Sequence, residues 1–535
     1  MRSVLSRPQA PAGKTKTPGL LWAGLGVFVL ALGLYVIYTV IHPKSFTMDP
    51  VDLAVYRSGG LIVRHIRPLY DPRLAAPLYD WVGYGKLHLP FTYTPFAALV
   101  FAIISFVPWW LSQQLSVAVD IIALLAALWF TLGGLGYRRD KVRLGAMLLG
   151  AGVVLWTEPV LRTIYLGQVN LVLMALILWD LCQPDTENSR WWKGFGTGIA
   201  AGIKLVPLIF IPYLLLARKF RQAAMALAGF VFSVLLGFVI LPGDSSKWWF
   251  DGLFAQGGRT GFVAWAGNQS LDGFISRLSG SVNGGKHAWI AAAVVIAIIG
   301  VLVAARLDRR GYQVLGLLGA ALTGLLVSPI SWDHHWVWIA PGALVAGHYA
   351  VRAWRSGAAT KADTNAATKA GTNAATKADT NAATKADTNA ATTAAAKAAR
   401  RTAVACGLLA LAIVAWFGSW PAHLFTKRTN LGNDSLGLLW IPRNTNPVWY
   451  IWYGDRPGYP EYHWRGLALI VGNAYILAGL ALLGLLLVLS LRLPAKPAPD
   501  GTAPDGTGTS RTKEQRDEPG RGQAGLRGRL RLPAA

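Results

Sequence analysis

The sequence has few charged residues for its length. Only 14% of its 535 residues are Asp, Glu, Lys or Arg, whereas 53% are hydrophobic and the mean hydropathy is +0.39. A soluble domain needs a polar surface that this composition does not supply, so an ordinary soluble protein is excluded. The apolar residues come in repeated blocks of about 20, which is the length of a helix that crosses a bilayer core. The sequence therefore predicts an all-α, polytopic membrane protein.

Cysteine is also scarce, and so are acidic residues. The two cysteines, Cys182 and Cys406, lie near the ends of apolar runs and lack metal-ligand spacing. This pattern predicts no disulfide framework and no zinc site. No cofactor is expected either. The 26 acidic residues are outnumbered by 51 Lys and Arg, which gives a net charge of +25. Because the cations collect in the N-terminus, short loops and the tail, they favour membrane anchoring, and no nucleic-acid partner is expected.

The apolar runs are bounded by charges, prolines or glycines, and they predict about twelve transmembrane helices. The first run, from Leu20 to Ile41, is too long for the core of a signal peptide and lacks a clear cleavage site, so it is predicted to be retained. The predicted helices span residues 20–41, 94–110, 112–136, 144–158, 168–183, 194–217, 221–242, 287–306, 312–329, 335–352, 401–420 and 466–491.

The basic loops predict the orientation of these helices in a cell membrane. Loops at residues 218–221 and 306–310, and the chain from residue 352 onward, should be cytoplasmic, which also places both termini inside. One basic loop, residues 137–143, falls on the outer side in a count of about twelve helices. Either the region 94–136 is wrongly divided into helices, or these cations contact lipid phosphates on the outer face.

The remaining segments suggest a domain organisation around a transmembrane core. An eight-residue unit, Thr-Lys-Ala-Asp-Thr-Asn-Ala-Ala, recurs between Thr360 and Ala391 and offers no large apolar side chain to bury. It predicts a disordered or weakly helical linker, and the tail rich in Pro, Gly and Arg is likewise predicted to be disordered. The predicted parts are a basic N-terminus (1–18), a core (19–356) with outer loops 42–93 and 243–286, a repeat linker (357–400), a helix pair (401–492) with outer loop 421–465, and a tail (493–535).

The strongest candidate for catalysis follows the first predicted helix. Asp52 and Tyr56 are four residues apart and share one face of a short helix, with Arg57 beside them. A carboxylate at the mouth of a helical bundle can act as a general base, especially where a dry site raises its pKa. The structural alternative is that Asp49 caps this helix and that Asp52 is a solvated acid in its first turn.

A second polar cluster lies between the ninth and tenth predicted helices, from Ser328 to Trp336. His334 and His335 are adjacent, and adjacent side chains on a helix point in different directions, so they make a poor metal pair. Separate roles as hydrogen-bond donors to a phosphate or a sugar suit them better. The alternative is a polar cap within an interfacial belt of aromatic residues.

Polar residues inside apolar runs supply further candidates. Lys204 is predicted to lie near the middle of a helix, where a charge is costly and a functional partner is the default expectation, although lysine can also snorkel to the interface. Amide side chains can bind sugar hydroxyls, but they also join membrane helices to one another. The amides in question are Gln168, Asn170, Asn268 and Gln269.

Taken together, these residues resemble glycosyltransferase family 87, a family of actinobacterial polyprenyl-phosphate-mannose-dependent α-(1→2)-mannosyltransferases of the GT-C superfamily. Six short motifs occur in the order typical of the family. They are Asp52 to Tyr56 with Gly59-Gly60, Phe91 to Phe96, Gly167 to Asn170, Gly202 to Lys204 with Pro207, Asn268 to Leu271, and Ser328 to His335.

The resemblance implies a GT-C fold and a catalytic acid in the first outer loop, which is Asp52 by position, with Asp49 as the fallback. It implies a polyprenyl-phosphate-linked donor, a glycolipid or glycan acceptor, and a site on the extracytoplasmic side. The residues expected at the donor phosphate are Lys204, His334, His335 and Arg57. Those expected at the sugar substrates are Tyr56, Tyr93, Asn268, Gln269, Trp332 and Asp333.

Two other classes of membrane protein share part of this pattern. A transporter is expected to have discontinuous helices or inverted repeats, and the two halves of the sequence show no convincing symmetry. A flippase or ligase for lipid-linked glycans shares the large outer loops. The position of Asp52, directly after the first predicted helix, favours a transferase through the family resemblance.

Overall fold

A computed structural model describes residues 18–41, 50–71, 90–183, 190–255, 261–373, 382–418 and 459–495. All of them belong to one compact unit, Met1–Lys496. Their regular structure is helical, and the described residues form no strand beyond two isolated bridges, Thr157 with Gly418 and Asn268 with Trp332. The predicted all-α class is therefore confirmed.

In the first half of the chain, long apolar helices alternate with short helices that are interrupted at proline or glycine. They are α1 (Pro18–Ile41), α2 (Val51–Arg64), α3 (Pro95–Phe101) with a 3-10 turn (Ala102–Phe106), α4 (Trp109–Gly134), α5 (Lys141–Val154), α6 (Glu158–Leu166), α7 (Asn170–Leu181), α8 (Phe195–Ile203) with a 3-10 turn (Val206–Ile209), α9 (Phe210–Leu216), α10 (Phe220–Ile240) and α11 (Pro242–Trp249).

The second half of the chain has fewer and longer helices. They are α12 (Leu271–Ser279), α13 (Val282–Arg309), α14 (Gln313–Val327), a 3-10 helix (Asp333–Trp338), α15 (Ile339–Asn373), α16 (Ala382–Trp416), a 3-10 turn (Pro460–His463), α17 (Leu467–Val471) and α18 (Ala474–Arg492).

Six of these helices are long and apolar enough to cross a membrane, and the bent pair α6 and α7 would make a seventh. The number refers to the described residues, and it does not confirm the predicted count of about twelve. Several predicted spans are instead short or broken helices. The six candidate spans are Gly19–Ile37, Trp109–Gly134, Phe220–Ile240, Asn283–Arg309, Ala390–Trp416 and Ala474–Arg492.

The predicted span 94–110 is the clearest of these differences. It consists of α3 and the following 3-10 turn, which together are too short to cross a bilayer. Thr94 begins α3 by accepting a hydrogen bond from the Ala97 amide at 3.0 Å. Arg57 on α2 then donates to the carbonyl oxygen of Ile104 and to Ser112 Oγ at the start of α4. Because α3 makes no crossing, α4 begins at the same end of the bundle as α2.

This arrangement settles the position of the basic loop 137–143. Gly134, at the end of α4, packs against Cys182 and Val314. Val314 lies one short turn after α13, whose Asp308 forms an ion pair of 3.0 Å with Lys219. The loop after α4 therefore lies at the same end as the basic loops near residues 219 and 308. This favours the first of the two alternatives, that region 94–136 was wrongly divided into helices.

The predicted span 194–217 is a re-entrant segment rather than one crossing helix. It starts and ends at one edge, because Arg221 donates to the carbonyl oxygen of Arg190 at 2.9 Å and Gly194 packs on the backbone of Gln222. Gly194 has φ 108°, and a Cβ there would collide with the Gln222 carbonyl. Lys204 has extended backbone, with φ −139° and ψ 125°, between α8 and the next 3-10 turn. The expectation that Lys204 lies in the middle of a helix was therefore wrong.

A second break separates α6 from α7. Gly167 ends α6 in the left-handed conformation, with φ 67°, which glycine adopts without the strain that a Cβ causes. The chain then turns by 115° into α7. The polar residues of the break, Gln168 and Asn170, are buried at the turn. The two breaks thus place polar side chains inside an otherwise apolar bundle.

The repeat between Thr360 and Ala391 contains the end of α15 and the beginning of α16. The described backbone of the repeat is helical, and residues 374–381 lie outside the described part. The two helices pack closely where they flank the repeat, since a Cβ on Gly357 would lie 3.2 Å from Ala399 Cβ. Asp49, most of the late outer loop and the tail from residue 496 also lie outside the described residues.

A buried arginine joins the loop after α11 to the C-terminal helices. Arg277 on α12 donates to the carbonyl oxygens of Trp265 and Asn268 at 3.0 Å each, and to Asn473 Oδ1. Its side chain is among the largest that are fully buried. A buried guanidinium with several acceptors fixes loop geometry, because each acceptor would lose its partner if the group were removed.

We expect Arg277→Met to destabilise the fold by about 3 kcal/mol, because the carbonyls and the Asn473 amide would be left buried and unsatisfied. Thermal unfolding of the purified protein in detergent measures the effect. Arg465→Met is the matched control, since the exposed Arg465 donates only to nearby carbonyls, including its neighbour Trp464. Equal melting temperatures for the two variants would contradict a structural role for Arg277.

Candidate active site

The first functional side chains come from one face of α2. Asp52 is in its first turn, where the helix dipole stabilises a carboxylate, and Tyr56 follows one turn later. Tyr56 is fully buried, and its hydroxyl donates to Gln168 Oε1 at 2.7 Å and lies 3.1 Å from the Tyr93 hydroxyl. The predicted pair on one helix face is thus joined to Tyr93 and to the break after α6.

The side chain of Asp52 is half-buried. Burial raises the pKa of its carboxyl above the ordinary value of an aspartate, and His334, a hydrogen bond from Gln168, Lys204 and Arg162 partly offset that rise. The net result is a raised pKa, which makes the carboxylate a stronger base than a solvated aspartate. The same interactions show that polar groups from three separate segments converge on Asp52: α6 with the turn after it, the segment at Lys204, and the 3-10 helix that carries His334.

Lys204, at the tip of the re-entrant segment, forms the cationic part of the site. Its Nζ donates to Asn170 Oδ1 at 2.8 Å and lies 3.0 Å from His335 Nε2. Asn170 in turn donates through Nδ2 to the carbonyl oxygen of His334 at 2.9 Å. The hydrogen bonds of the ammonium group thus go to uncharged side chains, and the negative charge that acts on it is that of Asp52.

The two histidines face different partners, as their adjacency predicted. Their ring centroids are 4.8 Å apart and the ring planes are nearly perpendicular, at 88°. His334 Nδ1 lies 2.9 Å from Asp333 Oδ1, while its Nε2 is buried and has no hydrogen-bond partner among the described residues. The contact with Asp333 fixes the orientation of the His334 ring and leaves Nε2 as the nitrogen without a partner among the described residues.

Asp333 acts on the site through His334. Burial alone would raise the pKa of Asp333, yet Arg162 and His334 outweigh it, so the pKa is lowered. Arg162 Nε lies 3.4 Å from Asp333 Oδ2. Asp333 was predicted to contact a sugar, whereas its described contacts are to Arg162, His334 and the backbone of residue 267.

The structure does not bring Arg57 to this cluster. Its guanidinium is buried on the other side of α2 and donates to the carbonyl oxygens of Ile104 and Val107 and to Ser112 Oγ. These contacts hold the start of α4 against α2. The helical geometry explains the difference, because Arg57 follows Tyr56 by one residue and so points about 100° away from it.

Asn268 and Gln269 are also occupied by backbone contacts. Asn268 donates to the carbonyl oxygens of Val263 and Pro329 and accepts the Ser331 amide. Gln269 donates to the carbonyl oxygen of Gly472 and accepts the amide of Tyr475. In the described structure both amides support the segment that carries the histidines, and neither reaches the Asp52 cluster.

Trp332 lies between these amides and the histidines. Its ring is partly exposed and packs edge to face on Trp265, with centroids 5.6 Å apart. Among the residues predicted for the substrates, Trp332 thus keeps an accessible aromatic surface.

Sequence reasoning missed two charged residues near the site. Arg162 pairs with Asp333, and Glu158, which is fully buried on the same helix, accepts a hydrogen bond of 3.0 Å from the Tyr475 hydroxyl. Both could have been found by the signal that singled out Lys204, because they are charged residues within a largely apolar stretch. They are one turn apart, so they face the same neighbours.

The cation of the site borders a cavity of about 50 Å³. Asn170, Lys204 and His335 line one part of it, and apolar side chains such as Phe210 and Trp338 line the rest. An amphipathic cavity of this kind suits a ligand with an anionic head and an apolar body. Within the described residues, no three His, Cys, Asp or Glu side chains are grouped as metal ligands.

Comparisons with known proteins give a consistent result. The family model of glycosyltransferase family 87 matches residues 91–329, which include Tyr93 and Lys204. A polyprenol-phosphate-mannose-dependent α-(1-2)-phosphatidylinositol pentamannoside mannosyltransferase of Mycobacterium tuberculosis is 35% identical over 62% of this chain and 72% of its own length.

Two further relatives are polyprenol-phosphate-mannose-dependent α-(1-2)-phosphatidylinositol mannoside mannosyltransferases. The protein from Mycobacterium tuberculosis is 33% identical over 61% of this chain and 75% of its own length. The protein from Mycolicibacterium smegmatis is 30% identical over 65% of this chain and 80% of its own length. No solved structure matches the chain significantly.

Proposed function

Because this chain belongs to glycosyltransferase family 87, we propose that it transfers a mannosyl residue from polyprenyl phosphate mannose to a glycolipid acceptor, such as a phosphatidylinositol mannoside. The reaction forms an α-(1→2) linkage with inversion at the anomeric carbon. The observation that carries the proposal is the convergence of Asp52 with Lys204 and the two histidines beside an amphipathic cavity.

Asp52 is the general base of this mechanism. Its carboxylate takes the proton from the acceptor hydroxyl as that oxygen attacks the anomeric carbon, and the bond from the anomeric carbon to the phosphate oxygen breaks. The raised pKa of Asp52 suits this step, since a base is most effective when its pKa approaches the working pH. The Tyr56 and Tyr93 hydroxyls, which are linked through Gln168, are in position to orient the acceptor.

Lys204 and the histidines bind the leaving phosphate. A polyprenyl phosphate departs as an anion, so it needs hydrogen-bond donors and positive charge rather than a strong acid. Lys204 supplies the charge, and His335 lies beside it at 3.0 Å. The unpartnered His334 Nε2 supplies a further position for a hydrogen bond to a substrate oxygen.

The site faces the extracytoplasmic side in this proposal, with both termini in the cytoplasm. The support is the distribution of charge, since the basic loops at residues 137–143, 218–221 and 306–310 gather at one end of the bundle. The positive-inside rule assigns that end to the cytoplasm. Asp52 and the start of α4 lie at the opposite end.

We expect Asp52→Asn to lower kcat by at least about 100-fold, because the amide keeps the shape of the side chain but cannot accept the proton. Transfer from radiolabelled polyprenyl phosphate mannose in nanodiscs measures this. Asp272→Asn, which changes a buried acid on α12 outside the cluster, should keep most of the activity. If Asp52→Asn were active and Asp49→Asn were not, the base would be Asp49 instead.

The pH profile of Gln168→Leu tests the environment of the base. The hydrogen bond from Gln168 lowers the pKa of Asp52, so its removal should raise that pKa. The acid limb of kcat/KM, which requires Asp52 to be ionised, should then move to higher pH, with recovery on the alkaline side. Gln313→Leu is the control, since Gln313 lies at the start of α14 and donates to the carbonyl oxygen of Leu181. An unchanged limb, or one moved to lower pH, would remove Gln168 from this role.

Lys204→Met should raise the KM for the donor by about 10-fold to 100-fold, because the charge-assisted bond to the phosphate is lost. Lys204→Arg should retain part of the binding. Arg57→Met is the comparison, because Arg57 was predicted at the phosphate but contacts backbone and Ser112 in the structure. Arg57→Met should lower the melting temperature and leave the donor KM of the folded enzyme unchanged. A raised donor KM for Arg57→Met, together with an unchanged donor KM for Lys204→Met, would place Arg57 rather than Lys204 at the phosphate.

A further inference from the structure

A pair of arginines lies on the side of α2 that faces away from the Asp52 cluster. Arg57 and Arg64 are two helical turns apart, so they share one face of this helix. Arg57 donates to the carbonyl oxygen of Ile104 at 2.7 Å, and Arg64 donates to that of Ser105 at 2.9 Å. Because the two acceptors are adjacent in the chain, both guanidinium groups lie on the same short segment between α3 and α4.

No carboxylate forms an ion pair with either arginine among the described residues. Their hydrogen bonds there all come from Nη1, and they go to backbone carbonyls and to the hydroxyls of Ser112 and Ser105. Nε of Arg57 is buried and has no hydrogen-bond partner in the part of the chain that the structure describes. Burial and the neighbouring charge of Arg64 lower the pKa of Arg57. Two like charges held together in this way favour the binding of an anion.

Large apolar side chains surround the arginine pair and face outward. Ile103, Phe106 and Trp110 are 70%, 68% and 65% exposed. The guanidinium carbon of Arg64 lies 3.9 Å from the centroid of the Phe106 ring, so the charge and an exposed ring are in contact. The candidate span α4 begins at Trp109, which places these side chains where the chain enters the bilayer. Lipid phosphates lie at the same level.

Ile66, two residues after Arg64, is another outward apolar side chain. It has φ 51° and is 91% exposed. Its amide donates to the carbonyl oxygen of Val63, and the Arg67 amide donates to that of Ile62, which is the pattern of a helix that ends with a left-handed residue. Glycine is the usual residue there, because a β-branched side chain is strained in this conformation. An isoleucine exposed to water would add a second cost, which contact with lipid removes.

We propose that Arg64 and Arg57 bind the phosphate of an anionic phospholipid. The acyl chains of this lipid pack against Ile66, Phe106 and Trp110, in the leaflet where α4 begins. Two guanidinium groups exceed the charge of one phosphodiester, so a headgroup without an amine, such as that of phosphatidylglycerol, fits better than a zwitterionic one. The lipid joins the last turn of α2 to the start of α4. It needs no mannosyl transfer, so this inference stands independently of the proposed function.

Phosphatidylglycerol is added to the purified protein in detergent, and the melting temperature is measured. It should raise the melting temperature of the wild type by several degrees, because a ligand that binds only the folded protein stabilises it. Phosphatidylcholine with the same acyl chains should give a much smaller shift, and so should glycerol 3-phosphate, which has the phosphate without the chains. An equal shift with phosphatidylcholine would show that the site does not select for charge. An equal shift with glycerol 3-phosphate would assign the site to soluble phosphate, and either result overturns the proposal.

Variants locate the bound lipid, with each shift measured against the lipid-free melting temperature of the same variant. Arg64→Gln should lose most of the shift, because the side chain stays polar but loses its charge, whereas Arg64→Lys should keep part of it. Arg465→Gln is the matched control, since the exposed Arg465 also donates through Nη1 to backbone carbonyls, and it should keep the full shift. An unchanged shift in Arg64→Gln would overturn the proposal.

Lys204→Met separates this site from the cavity beside Lys204, which also suits a lipid with an anionic head. The variant should keep the shift, and its loss there would assign the lipid to that cavity and overturn the proposal. Retention of lipid gives a second measurement that does not depend on melting. In native mass spectrometry, the wild type and Arg465→Gln should retain phosphatidylglycerol that Arg64→Gln loses under the same detergent exchange. Equal retention by the three proteins would contradict a site at α2.

Discussion

The cost of placing a charged lysine inside an apolar bundle governs the architecture of this site. An ammonium group away from water must be given hydrogen-bond partners, and Lys204 obtains them from Asn170 and His335. Those partners come from α7 and from the segment before α15, which lie far apart in the sequence. The requirement to satisfy one cation thus brings together two helix breaks and the histidine segment, and Asp52 then completes a site with both signs of charge.

Breaks in the helices are the means by which the chain meets that requirement. A continuous membrane helix uses its backbone groups internally and presents mainly apolar side chains. Where the chain turns at residue 167 and at Lys204, polar side chains reach the interior. Irregular backbone at such a depth is tolerated because it is buried in protein, and here Asn170 and His334 supply the necessary contacts. The site is therefore built at helix breaks, which a continuous transmembrane helix does not contain.

Much of this could be predicted from the sequence, and the errors have physical causes. Hydropathy predicted the all-α class, and helix periodicity predicted that Asp52 and Tyr56 share a face. The same hydropathy cannot distinguish a re-entrant segment from a crossing helix, because both are apolar, so residues 194–217 and 94–110 were predicted as spans. Asn268 and Gln269 were expected at substrates because amides suit sugars, but the same groups equally suit buried carbonyls. Only the three-dimensional partners decide between these uses.

The contacts of Gln269 and Arg277 have a consequence for the timing of biosynthesis. Both side chains lie early in the second half of the chain, yet their partners include Gly472, Asn473 and the Tyr475 amide near the last helix. A ribosome therefore releases most of the bundle before the segment that carries the histidines receives its support. Until α18 enters the membrane, the nascent chain holds a lysine and a carboxylate without a completed enclosure around them. The enclosure of this cluster is therefore complete only after the final helix has been added.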